Sequence, residues 1–294
     1  MIMRRTAIVL AAAFAVLALP HPAGAWGFEV HKYIMERAIG LLPVEIRPYF
    51  EKYKTTIVEH AVDPDLWRTA GWLEEPPRHF VDMDAYGPFP FAQLPHVYDE
   101  AVARYGKDFV QKNGTLPWRT EEIYKKLVEA FTQKAGYARD NIKFFSSVIA
   151  HYTADAHVPF HAALNYDGQL TGQWGIHSRF ESELFERYRT RLQIAPKPIA
   201  PVTNSREFIF ESLGASFPLA QPVLDADRLA VAGRDVYDDG YFTLFFSKTQ
   251  PILEKRLSDA ITGVASMIAA AWVEAGRPAL PLDAPSVLRK VRRQ

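Results

Sequence analysis

Histidine placement constrains this chain more than any other feature. Four of its nine histidines, His151, His157, His161 and His177, fall in one short segment, and none follows it. Asp155 stands four residues after His151, and Glu181 four after His177. On an α-helix, residues i and i+4 lie one above the other, so each pair presents an imidazole and a carboxylate to a single ion. The same i, i+4 geometry thus recurs in two segments expected to be helical. His161 lies past Pro159, which ends the first helix, so a loop can carry its imidazole toward the second pair. Mixed imidazole and carboxylate ligands suit zinc better than calcium or magnesium, which prefer oxygen alone, and such sites usually keep a position open for water. No cysteine occurs in the chain, which argues against a purely structural zinc knot.

The rest of the chain reads as helices separated by loops rich in proline and glycine, with little strand-like alternation. Residues 31–42 set Ile34, Ala38 and Leu41 at helical spacing, and residues 120–134 set Ile123, Leu127 and Phe131 on one face. Residues 141–156 are apolar on most sides, as in a central helix, and 252–275 is the longest such stretch. With 294 residues and 48% hydrophobic content, the chain can bury one large core. The expected architecture is all-α, a single compact multi-helix domain over 26–280. The loops at 74–95 and 158–175 are long for a compact domain and carry potential ligands, which marks them as functional. Residues 196–202 read as a plain connector.

At the N-terminus, MIMRR is basic, TAIVLAAAFAVLALP is apolar, and Ala23-Gly24-Ala25 is a small-x-small cleavage site. These are the three parts of a secretory signal peptide, here 1–25. The apolar run is shorter than the roughly 20 residues a bilayer crossing needs. Cleavage leaves Trp26 first, with no cysteine to take a lipid anchor. The expectation is Sec-type export to the periplasm or beyond, with no transmembrane segment in the mature chain and no obligate protein partner. Lysine plus arginine equal aspartate plus glutamate at 34 each; losing Arg4 and Arg5 leaves 32 against 34, formally −2. That balance gives no long-range pull toward nucleic acid or anionic membrane. The tail at 281–294 ends in VLRKVRRQ and reads as a basic, solvated end.

These residues carry a family resemblance. The segment His151-YTADAHVPF-His161-AALN, followed by GI-His177-SRF-Glu181, resembles the trinuclear-zinc superfamily of bacterial zinc-dependent phospholipase C and the S1/P1 nucleases. The C-terminal KRLSDAITGVASMIAAAW is similar to the phospholipase ending. The resemblance implies long loops around a cleft holding three Zn2+ ions. In that superfamily the mature protein begins with Trp, whose α-amino nitrogen and carbonyl oxygen chelate one zinc, and cleavage here exposes Trp26-Gly27-Phe28-Glu29-Val30-His31. The next ligands are an Asp and a His at a spacing that Asp65 and His79 match. Asp63 is the alternative first aspartate, but the Asp65-x-x-Arg68 pattern shared with the nucleases favours Asp65. The resemblance thus assigns one zinc to Asp65, His79, His151 and Asp155. A second goes to the Trp26 terminus and His31, with Asp155 bridging, and a third to His161, His177 and Glu181. His60, His96 and His157 match no ligand and read as structural or surface residues.

The implied activity is hydrolysis of P–O ester bonds by metal-activated water. Asp65 would also orient or deprotonate that water, and Arg68 would meet the charge that builds on phosphate. Glu181 as last ligand and the HAALN motif resemble phospholipase C, and Glu29 stands where the phospholipase has an acidic residue facing choline. The rings of a choline cage are absent, however: Leu66 follows Asp65, and Pro76 lies three before His79. In the nucleases, the Phe of His79-Phe80-Val81-Asp82 stacks on a base and the Asp bonds its edge, which makes Phe80 and Asp82 candidate substrate contacts. The expectation is an exported, phospholipase C-like zinc phosphodiesterase acting on a phospholipid head group. Single-stranded nucleic acid or a nucleotide is the alternative substrate. A zinc-binding protein without turnover is disfavoured, because every expected ligand is present.

Overall fold

The computed structural model describes residues 26–134, 137–280 and 282. The expected signal peptide at 1–25 and all but Leu282 of the basic tail lie outside the described residues. Among those described, the secondary structure is helical with no strand, and no helix is long and apolar enough to cross a membrane. The main helices are α1 (Phe28–Ile39), α2 (Asp63–Thr69), α3 (Leu116–Thr132), α4 (Ala138–Asp155), α5 (Ser205–Ser216), α6 (Ala220–Val231) and α7 (Asp239–Glu274). Shorter helices and 3-10 turns join them.

Helix α4 is the centre, packed against α1, α3 and α7. Every residue from Ser146 to Asp155 is buried, which is why this stretch is apolar nearly all round. On α3, Ile123, Leu127 and Phe131 form the inner face that their spacing predicts. On α1, Ile34 and Ala38 are buried, while Leu41 lies past the helix end and is half-buried. A continuous apolar core runs from Trp26 to Trp272 through all of these elements.

Two segments differ from their sequence reading. Helix α7 begins at Asp239, well before residue 252, and carries Pro251 inside it. Proline removes one backbone bond and disfavours a helix interior. Here Phe245, Phe246, Leu253 and Leu257 bury the flanking turns, and Asp238 caps the start by accepting from Tyr241 N at 2.7 Å. The stretch at 196–202 is more than a connector, since it belongs to an extended strap laid along α7. The N–H groups of Gln193, Ala195, Lys197 and Ala200 donate to the side chains of Glu254, Ser258, Thr262 and Ser266 at 2.7–3.0 Å. Those acceptors recur every four residues, so one face of the helix satisfies backbone donors that a neighbouring strand would otherwise serve.

The two long loops are stitched together over the C-terminal end of α4. Val81 N donates to His161 O at 2.9 Å, and Asp82 N to Asn113 O at 2.8 Å. Leu116 N bonds Phe80 O at 3.2 Å, and this approach requires Gly114. Its φ is +90°, and a Cβ there would stand 2.1 Å from Phe80 O.

Candidate metal centre

Eight of the expected ligands converge. Helix α4 supplies His151 and Asp155 one turn apart, α1 supplies His31, and α2 supplies Asp65. His79 closes the 3-10 turn Pro76–His79, and His161 sits in the turn Pro159–Ala162. His177 lies on the short helix Ile176–Ser178, which runs into a π-helical turn, Arg179–Glu183, carrying Glu181. None of the eight is more than 5% exposed.

Their ligand atoms fall into three groups: His31, Asp65 and His151; His79, His151 and Asp155; and His161, His177 and Glu181. The third group matches the set drawn from the resemblance. In the other two, His151 is shared, and His31 sits with Asp65. The Asp155 carboxylate joins them, at 3.0 Å from His79 Nδ1, 3.3 Å from His151 Nε2, 3.4 Å from His31 Nε2 and 3.8 Å from His161 Nδ1. Backbone carbonyls aim two rings: His151 Nδ1 donates to Ala61 O at 2.9 Å, and His161 Nδ1 to His79 O at 2.6 Å. Such bonds leave the opposite nitrogen's lone pair for a metal.

The donor set fits a cation. Both ring nitrogens of His31 and of His177, both oxygens of Glu181, Asp65 Oδ1, His79 Nε2 and Asp155 Oδ1 are buried without a hydrogen-bond partner. Buried polar atoms are almost always bonded, and each one left unbonded costs about 1–3 kcal/mol. His177 Nε2 and Glu181 Oε2 approach to 3.0 Å yet are misaligned for a hydrogen bond, as two ligands of one ion would be. Burial pushes His161 down to about 4 and holds His177 well below the usual imidazole range, so both are neutral at pH 7 with a lone pair to give. Burial also lifts Glu181 well above the carboxylate range, and Asp155 and Asp65 add to this. Asp155 is itself raised by burial, but His151 and His161 outweigh that and hold it well below its ordinary value.

The remaining candidates divide. Trp26 is fully buried, and its indole Nε1 donates to Ala154 O at 2.9 Å, one residue from Asp155. Asp63 turns to His60 at 2.8 Å, whereas Asp65 faces the cluster with Arg68 Nη2 at 3.2 Å. A cavity of about 620 Å³ opens onto the centre, with Arg68, His79, His161 and His177 on its wall beside Phe80, Asp82 and Lys112. Burial first, and then Asp84, push the Asp82 carboxyl up to about 7 against the pull of Lys112. Glu29 does not line this cavity; it is solvent-exposed, 3.9 Å from Lys32. Residues two apart on a helix point about 200° apart, so burying His31 turns Glu29 outward. His157 bonds Thr153 O and packs under Gly263, while His96 stacks on Phe210 beside Glu207, so neither joins the cluster.

Sequence reasoning missed two residues. Glu75, fully buried, lies 2.7 Å from Arg78 Nη1 and 3.6 Å from His79 Nε2, and it accepts from the Tyr152 hydroxyl. Its signal was the same four-residue spacing with the carboxylate written first. Arg179, between His177 and Glu181, meets Asp227 Oδ1 at 3.1 Å, Tyr241 OH at 2.9 Å and Trp174 O at 2.8 Å. It clamps the π turn to α6 and α7, and no local pattern announces partners so remote. No protein-family model matches the chain, and no curated protein matches it. The buried histidine and carboxylate groups can hold metal ions on their geometry alone.

Proposed function

We propose that this protein is an exported zinc phosphodiesterase of the phospholipase C and S1/P1 nuclease type, holding three ions and maturing by cleavage before Trp26. The observation that carries this reading is the set of orphaned, buried nitrogen and oxygen atoms in one cluster, two of whose residues, His79 and His177, also line a cavity. Imidazole-rich, thiolate-free ligands beside open space suit a catalytic zinc centre. Bound zinc supplies acidification of a water molecule and neutralisation of phosphate charge.

The chain's own residues do the rest. Asp65 orients the attacking water and takes its proton. Arg68, on the cavity wall and 3.2 Å from Asp65, meets the charge that develops on the phosphoryl oxygens. Asp65 is itself buried, which strengthens its interactions by lowering the local dielectric.

The phospholipase C-like reading comes first. Pro76, Phe160, Leu164, Tyr166 and Leu170 give the cavity an apolar lining, and Arg68 and Lys112 are its only lysine or arginine side chains. One observation favours the single-strand nuclease or 3'-nucleotidase reading. Phe80 and Asp82 line the cavity together, while Glu29, the acidic residue expected at choline, stands outside it. The zinc-loaded mature protein is to be incubated with phosphatidylcholine vesicles and, separately, with single-stranded DNA. Release of phosphocholine alone rejects the nuclease reading, and release of nucleotides alone rejects the phospholipase reading. Turnover that survives exhaustive chelation rejects both.

A further inference from the structure

The two ring nitrogens of His79 have different surroundings. Nδ1 faces the cluster, 3.0 Å from Asp155 Oδ2, 3.1 Å from His151 Nε2 and 3.9 Å from Asp65 Oδ1. Nε2 points the other way, buried and without a hydrogen-bond partner, and the carboxylate facing it is Glu75, with Oε1 at 3.6 Å. A neutral imidazole has one lone pair and one N–H, and the group facing the N–H decides which nitrogen is left to bind.

We propose that Glu75 is a positioning residue for the metal centre: it draws the His79 proton to Nε2 and so leaves the Nδ1 lone pair for an ion shared with His151 and Asp155. The proposal rests on the metal reading above. Glu75 is fully buried and cannot turn away. Its Oε2 is 2.7 Å from Arg78 Nη1, and its Oε1 accepts from the Tyr152 hydroxyl. Tyr152 belongs to α4, between the ligands His151 and Asp155, so the group that orients His79 is tied to the helix that carries its fellow ligands. Arg119 Nε reaches the same hydroxyl at 3.5 Å and closes the chain. Arg78 is partly exposed, so an ion pair with Arg78 alone would not require the carboxylate to be buried. The inward reach of Oε1 toward His79 and Tyr152 accounts for the burial. Glu75 makes no hydrogen bond or ion pair to His161, His177 or Glu181; that group touches the His79 turn only where His161 Nδ1 donates to the His79 backbone carbonyl, so it serves as the comparison site.

The test is a zinc titration of the metal-stripped mature protein against a competing chelator, on wild type, Glu75→Gln and Tyr152→Phe, with Co(II) spectra of each. Glu75→Gln is expected to weaken the ions that depend on His79 roughly 10- to 100-fold and to change the Co(II) bands, while the ion at His161, His177 and Glu181 keeps its affinity. Tyr152→Phe keeps the ring and removes the donor to Glu75, so it shifts the same sites in the same direction by less. Should Glu75→Gln fail to fold, Tyr152→Phe decides alone. Unchanged affinities and spectra overturn the proposal, and so does equal weakening at every site. A wild type that takes up no zinc rejects the metal reading itself.

Discussion

Replacing Asp82 by Asn is expected to stabilise the protein, and only toward neutral and alkaline pH. The Asp82 side chain lies in the cavity wall at 6% exposure, and burial with the neighbouring Asp84 lifts its carboxyl from 3.8 to about 7. Because the folded value is the higher one, the native state keeps a proton that the unfolded chain has already lost between these limits. Stability therefore falls as pH rises through this window, and the loss is complete above about 7. A gap of about three pKa units at 1.36 kcal/mol each amounts to about 4 kcal/mol. Asparagine keeps the shape and cannot ionise, so the variant gains up to about 4 kcal/mol at about pH 8.5 and nothing near pH 4. Urea unfolding of both proteins across this range measures the effect, and their difference cancels zinc release and other titrations common to both. A difference that does not vary with pH, or a variant weaker than wild type at alkaline pH, refutes the reasoning.

Stripping zinc is expected to lower the unfolding free energy by about 4 kcal/mol for each ion present at a thousand times its dissociation constant, followed by thermal or urea unfolding with and without chelator. Arg68→Ala is expected to cut kcat on the phosphodiester found by the substrate assay by about 100-fold, with zinc content unchanged by elemental analysis. Asp227→Ala leaves the Arg179 guanidinium buried without its carboxylate and is expected to cost about 3–5 kcal/mol in urea unfolding, although it lies outside the cluster. Residues added before Trp26 would replace its free amine with an amide, so that form is expected to bind one zinc fewer than the mature protein, counted by elemental analysis.

What the sequence made legible was local. His151 and Asp155 sit on one regular helix, where four residues always make one turn, so their partnership follows from spacing alone. The inner face of α3 is read the same way. Choices between opposite faces were harder. Asp63 and Asp65, or Glu29 and His31, are two residues apart on a helix, so one of each pair must face away from the cluster, and only the packing of the whole helix decides which. Local rules can also be overridden from a distance, as when the packing of Phe245, Phe246, Leu253 and Leu257 carries α7 through Pro251. The strap along α7 and the Arg179–Asp227 clamp depend on partners dozens of residues away, which no window along the chain contains.

The same helix serves as the core of the fold and the floor of the centre, and this sets how the two depend on each other. From Ser146 to Asp155 every residue of α4 is buried, yet His151 and Asp155 lie within that stretch and gather polar atoms from four other segments around them. Nine buried atoms of the cluster have no hydrogen-bond partner. Each such atom, where it stays unbonded, costs about 1–3 kcal/mol. Under the metal reading, cations bound by one nitrogen of each imidazole and by the carboxylate oxygens would remove part of that cost, which would couple metal uptake to the folding of this end of the molecule. The loss on metal removal should be local for a structural reason. Helix α4 packs against α3 and α7, which carry none of the clustered residues, and the turn at 176–183 has its own clamp in Arg179. The turn Pro76–His79 is tied to α4 through Glu75 and Tyr152 and to Thr115 through Pro77 O, so under the metal reading the ion that His79 would bind adds to contacts the turn already has.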